Sequence, residues 1–248
     1  TFVLLSKTAG ARDSIYSRDD PITVELRSAN QLRIRTSGGN NAHRIAWQVV
    51  EFTNPGDITV YRGSTSLTRN GWTQRTVSIG GSVDLTRTMV LGSYRSDNDG
   101  GDIDERTMRA FLADTTQVRF VRGDTGGDDL DQIIWQVVQF NDGTTTQSGL
   151  TTFPAGTSQI DAPITALNPA TAVPMATVQV MGGQNMGTTT YGSNDIIGVT
   201  SFTTVFSGTD RLALQRASTA GAAIVNWQVL DFSGARRTAR PACVLRVG

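Results

Sequence analysis

One strand-like hexapeptide occurs three times in this chain: Trp47-Gln48-Val49-Val50-Glu51-Phe52, Trp135-Gln136-Val137-Val138-Gln139-Phe140 and Trp227-Gln228-Val229-Leu230-Asp231-Phe232. The copies stand 88 residues apart (Trp47 to Trp135) and then 92 apart (Trp135 to Trp227), and recurrence at a near-constant period marks a tandem repeat. Side chains alternate along a strand, so Trp47, Val49 and Glu51 share one face and Gln48, Val50 and Phe52 the other. Both faces are largely apolar. Such a strand is central and covered on both sides, by the second sheet of a sandwich or by a neighbouring repeat or subunit. The Gln of each copy (Gln48, Gln136, Gln228) then has two readings: a buried amide bonded to a loop or across an interface, or a solvated strand residue.

Each copy is preceded by an alternating segment, Leu32-Arg33-Ile34-Arg35, Val118-Arg119-Phe120-Val121-Arg122 or Leu212-Ala213-Leu214-Gln215-Arg216, and then by a turn rich in Gly, Ser, Thr or Asp. That is the signature of a β-hairpin. No segment holds the i, i+3, i+4, i+7 apolar pattern for three turns. The expected fold is all-β, with antiparallel β-sandwich units in tandem and a repeat of about 88 residues. The units are out of phase with the chain ends, because Thr1 aligns with the middle of a unit. This divides the chain into a partial unit (1–57), a complete unit (58–140), a third unit (141–232) and a C-terminal extension (233–248). Val244, Leu245 and Val247 of that extension occupy the place of a unit's leading strand. An exposed edge at one end and a spare strand at the other invite pairing, which either closes the molecule on itself or links one subunit to the next.

Charge and chemistry narrow the function. With 22 basic and 22 acidic side chains the formal charge is zero, so the positive field that draws proteins to nucleic acid or anionic lipid is missing. No run approaches the ~18 apolar residues that membrane insertion requires. The opening residues lack the basic flank of a signal peptide and read as a mature or trimmed start. Cys243 is the only cysteine and His43 the only histidine, so thiolate cages, His-based zinc sites and His-dependent triads have no material. Two acids brought together by folding leave no sequence signature, but Glu51 and Asp231 recur as structural equivalents, which argues for architecture. The expectation is a protein that is not an enzyme.

Two constellations have a chemical flavour. Asp97, Asp99, Asp102, Asp104 and Glu105, spaced by glycines, offer the oxygen ligands that Ca²⁺ requires, although the spacing departs from an EF-hand and the other units lack it. The alternative is a solvated acidic loop, and no cofactor. Trp72, Tyr61 and Tyr94, with Tyr191, are candidates for stacking on glycans if they are exposed on β-loops.

The strands Val60-Tyr61-Arg62-Gly63, Val90-Leu91-Gly92-Ser93-Tyr94-Arg95-Ser96 and the closing segment 45–52, in this order within a unit, resemble tandem β-repeats of phage virion proteins and of bacterial surface proteins. The unit is more remotely similar to the H-type lectin sandwich, whose small domains trimerise. The resemblance implies an extracellular, cell-surface or virion building block, and carries over no catalytic or sugar-binding residue. Two functions follow as expectations. One is a structural subunit of a surface filament or phage particle, a homo-oligomer or polymer joined by β-strand pairing. The other is a lectin-like module, calcium-assisted or not.

Overall fold

A computed structural model describes residues 1–8, 18, 20–38, 43–68, 72–96, 103–125, 130–181, 196–235 and 243–247. The ordered elements are the strands β1 (Phe2–Thr8), β2 (Thr23–Ser28), β3 (Gln31–Arg35), β4 (Arg44–Phe52), β5 (Ile58–Leu67), β6 (Gln74–Ser78) and β7 (Thr88–Arg95). A four-residue helix α1 (Ile103–Arg106) follows, then β8 (Arg109–Leu112), β9 (Gln117–Val121), β10 (Leu130–Phe140), β11 (Thr145–Phe153) and β12 (Gln159–Pro163). The series ends with β13 (Ala172–Val180), β14 (Phe202–Phe206), β15 (Arg211–Arg216), β16 (Ala223–Asp231) and β17 (Cys243–Val247). The protein is all-β, and every strand pair is antiparallel.

The three Trp-Gln strands are β4, β10 and β16, and each is the middle strand of a three-stranded sheet, in the orders β1-β4-β17, β5-β10-β7 and β11-β16-β13. A second sheet accompanies each one: β2-β3, β6-β9-β8 and β12-β15-β14. The second group is sandwich-like, because Trp135 and Val137 of β10 pack with Val118 and Phe120 of β9 and Ala110 of β8. The third repeats this with Trp227, Val229, Leu212 and Leu214. Each fully buried side chain of this size stabilises by roughly 1.5–3 kcal/mol. Glycine is required where an indole lies flat on the neighbouring strand. Gly63 faces Trp135 and Gly149 faces Trp227, and a Cβ on either would fall 2.3 or 2.2 Å from the ring.

The opposite face of each central strand packs between groups. Phe2 and Val50, Met89, Val138 and Phe140, and Leu230 form one buried cluster drawn from all three groups, so the chain is one body with a shared core. Phe140 sits at its centre, 6.2 Å from Phe52 and 6.2 Å from Phe232, ring centre to ring centre. In β10 and β16 the doubly apolar strand is thus covered on one side by its own second sheet and on the other by neighbouring groups.

The spare C-terminal strand is used within the chain. β17 lies antiparallel to β4, with Val244 opposite Glu51, Leu245 opposite Val50 and Val247 opposite Gln48. It takes the place that β5 has beside β10 and β11 beside β16. Closure on itself, one of the two pairings that the sequence leaves open, is the one present in this single chain. The last segment completes the first sheet across nearly the whole length of the chain.

Candidate functional site

The repeated Gln becomes a clamp at two of its three positions. Gln136 accepts from the Val3 N–H through Oε1 (3.2 Å) and donates to the Val3 carbonyl through Nε2 (3.1 Å). Gln228 does the same to Val90, at 2.7 and 3.0 Å. Both amides are buried. Each satisfies an outward-facing pair of backbone groups on the edge strand of the preceding group, which would otherwise be buried without partners. A second contact repeats beside it: the Ser93 hydroxyl accepts from Val24 N–H (3.1 Å), and the Thr177 hydroxyl accepts from Ala110 N–H (3.1 Å). Arg109, its guanidinium lowered from the ordinary value by burial, adds bonds to Gln179 and Asn226 at the junction of the second and third groups.

Among the described residues no such clamp joins the third group back to the first. Val3, Val90 and Pro174 stand opposite Val49, Val137 and Val229 respectively, so Pro174 is the residue that Gln48 would read. Proline has no N–H to give. A cavity of about 540 Å3 lies among β1, β7 and β13, lined by Leu4, Leu91, Gln136, Met175 and Gln228 among others.

The first group differs from the others in a second way. Among the described residues its outer sheet has two strands, whereas β9 and β15, the equivalents of β3, each carry a third strand, β6 or β12, on the far edge. A cleft of about 460 Å3 in this group is lined by Trp47, Val49, Glu51, Leu26, Leu32 and Arg62. Trp47 and Val49 are only partly buried and Glu51 is exposed, while Trp135, Val137, Trp227 and Val229 at the same positions are 3 %, 0 %, 7 % and 0 % exposed. Arg62 at the rim donates to the Thr1 carbonyl, and burial lowers its guanidinium from the ordinary value.

The direction of the β3 backbone groups follows from the ladder. Val24 turns its N–H outward to Ser93 and stands opposite Ile34. In an antiparallel pair the N–H and C=O of a residue point the same way and alternate along the strand, so Ile34 and, two residues on, Leu32 turn theirs away from β2. In the second group Phe120 and Val118, at the same positions, stand opposite Arg75 and Val77 of β6. On the outer face Arg33 is paired to Glu25, with Nε to Oε2 at 3.0 Å.

Two buried arginines that sequence reasoning passed over mark how the third outer strand is delivered in the other groups. Arg122 donates from Nε to the Trp72 carbonyl (3.2 Å) and from Nη2 to the Thr68 carbonyl (3.1 Å), holding the ends of the β5–β6 loop. Arg216 donates to the carbonyls of Pro154, Thr157 and Gly221 at 2.8, 2.8 and 2.7 Å, and so ties the β11–β12 loop. The same position in the first group, one residue after Arg35, is Thr36. The signal was present in the aligned sequence, where Arg122 and Arg216 each end the alternating segment.

The remaining expected residues are scattered. Asp97, Asp99 and Asp102 lie outside the described residues. Asp104 and Glu105 are buried in α1 rather than solvated, and the Asp104 carbonyl accepts from Gly123 and Asp124. Among the described residues no three His, Cys, Asp or Glu side chains form a metal-holding group. Tyr61 and Tyr94 pack against the core of the second group. Trp72 is 51 % exposed, with the Arg75 guanidinium 5.7 Å from its ring centre. Tyr191 lies outside the described residues, and His43 is partly buried just before β4. No family model, curated protein or solved structure matches this chain.

Proposed function

We propose that this protein is a structural subunit of an extracellular assembly, a surface filament or a phage particle, joined to its neighbours by β-strand pairing and by packing between subunits. The observation that carries the reading is a rigid block: one aromatic cluster around Phe140 is shared by all three strand groups, and the buried amides of Gln136 and Gln228 clamp neighbouring groups together. Immunogold electron microscopy of native material tests it. Label on ordered particles or filaments is expected, whereas label confined to free single molecules would overturn the proposal. A second reading, a glycan-binding module, draws on exposed Trp72 alone, and a glycan array with and without Ca²⁺ tests it.

A further inference from the structure

We infer that β11 is the strand through which two copies of this protein pair, edge to edge and antiparallel, with Leu150 of one copy opposite Leu150 of the other. The inference rests on the assembly reading above and names its contact. Among the described residues, each sheet built on a Trp-Gln strand ends at the same place, in β17, β5 or β11. β11 lies in mid-chain, and an edge that recurs in every group belongs to the repeat itself. The direction of its backbone follows from the ladder. The Val180 N–H turns away from β16 to the Thr107 hydroxyl (3.0 Å), and backbone groups alternate along an antiparallel pair. Ala223, Val225, Trp227 and Val229 of β16, opposite Val180 and its alternates on β13, therefore turn their N–H and C=O groups to β11. Their partners there are Phe153, Thr151, Gly149 and Gln147. Ser148, Leu150 and Thr152 are left with N–H and C=O pointing out from the edge, and the side chains of all three are exposed, that of Leu150 by 57 %.

Native proteins blunt such an edge with charge, proline or a covering segment. In the second group Arg62 of β5, opposite Gln136 as Ser148 is opposite Gln228, brings a charge to the edge and donates to the Thr1 carbonyl. β11 carries no such device: no charged side chain occurs between Asp142 and Asp161, and the strand holds no proline. A second β11 is complementary to this edge. About a two-fold axis at Leu150, the two leucines exchange both main-chain bonds and cover each other's exposed side chain, and Ser148 of each copy meets Thr152 of the other. Apolar and hydroxyl pairs directly opposite each other stabilise a sheet, and no like charges meet. The paired stretch is bounded at one end by Thr146, which is held by Leu85 and Thr88 of the second group, and at the other by Pro154. An isologous contact of this kind closes as a dimer, in which the sheets β11-β16-β13 of two copies become one.

Sedimentation equilibrium of the full chain tests the pairing. A dimer is expected. Leu150→Lys should raise its dissociation constant at least tenfold by setting two like charges opposite each other, with the circular dichroism of the monomer unchanged because the side chain is exposed. Leu150→Pro removes an N–H that points outward and none that serves the ladder to β16, and it should weaken the dimer at least tenfold as well. A protein that stays monomeric at millimolar concentration, or a dimer that neither variant weakens, would overturn the inference. So would slow exchange of the Leu150 amide in the monomer, which means that the chain itself covers this edge. Labelled particles that form normally from the Leu150 variants would sink the inference and leave the assembly reading standing, whereas a β11 dimer with label confined to free molecules would do the reverse.

Discussion

The same substitution at three equivalent positions should have three unequal costs. Replacing Gln228 by Leu keeps the approximate volume but removes both partners of the Val90 backbone, whose N–H and C=O lie 2.7 and 3.0 Å from the amide in a buried junction. A buried polar group left unsatisfied costs about 1–3 kcal/mol. Two such groups, less the benefit of burying an apolar side chain, give a loss of about 2–4 kcal/mol. Gln136→Leu should lose a similar amount through Val3, with bonds of 3.2 and 3.1 Å. Gln48→Leu should cost less than about 0.5 kcal/mol, the range of substitutions that break no special contact, because its counterpart is Pro174. Urea unfolding followed by tryptophan fluorescence measures all three. If Gln48→Leu costs as much as the other two, the clamp is not the reason for the recurring Gln.

Two further outcomes follow from local geometry. Gly63→Ala and Gly149→Ala each place a methyl group within 2.3 Å of an indole, so each should destabilise by about 1–3 kcal/mol through forced displacement of the ring, seen as a lower Tm and altered near-ultraviolet dichroism. Hydrogen bonds from Thr86 and Thr116 hold the Asp84 and Asp114 carboxyls below the usual carboxylate range. Their stabilisation is complete above the ordinary carboxylate pKa and is lost as pH falls through the lowered one. Asp84→Asn and Asp114→Asn should therefore weaken the protein at neutral pH and make no difference in strong acid, and carboxyl titration by NMR should show both midpoints shifted down.

Much of this was legible in the sequence, because the features concerned are periodic. Alternation placed Trp135 and Val137 on one face and Val138 and Phe140 on the other, and a strand apolar on both faces had to be central. The role of Gln136 and Gln228 was half legible: a buried amide needs partners, but which backbone it meets depends on how groups pack across more than a hundred residues. The phase of the repeat left two pairings open for the C-terminal strand, and its register on β4 depends on contacts across nearly the whole chain. The cleft was not legible at all, because its walls come from the turn between β2 and β3, from Trp47 and Val49 of β4 and from Arg62 of the next group, which only packing brings together. Acid-rich spacing around Asp104 and Glu105 misled in the opposite sense. It suggests solvent exposure, whereas Ile103 beside them is fully buried in the core of the third group and carries the helix inward with it.

Hydrogen exchange at the amides of Val3 and Val90, which donate to Gln136 and Gln228, tests the clamped block most directly. In the unaltered protein both should be protected, and in Gln228→Leu the Val90 amide should exchange faster while that of Val3 stays protected. Unchanged exchange at Val90 in Gln228→Leu would contradict the account.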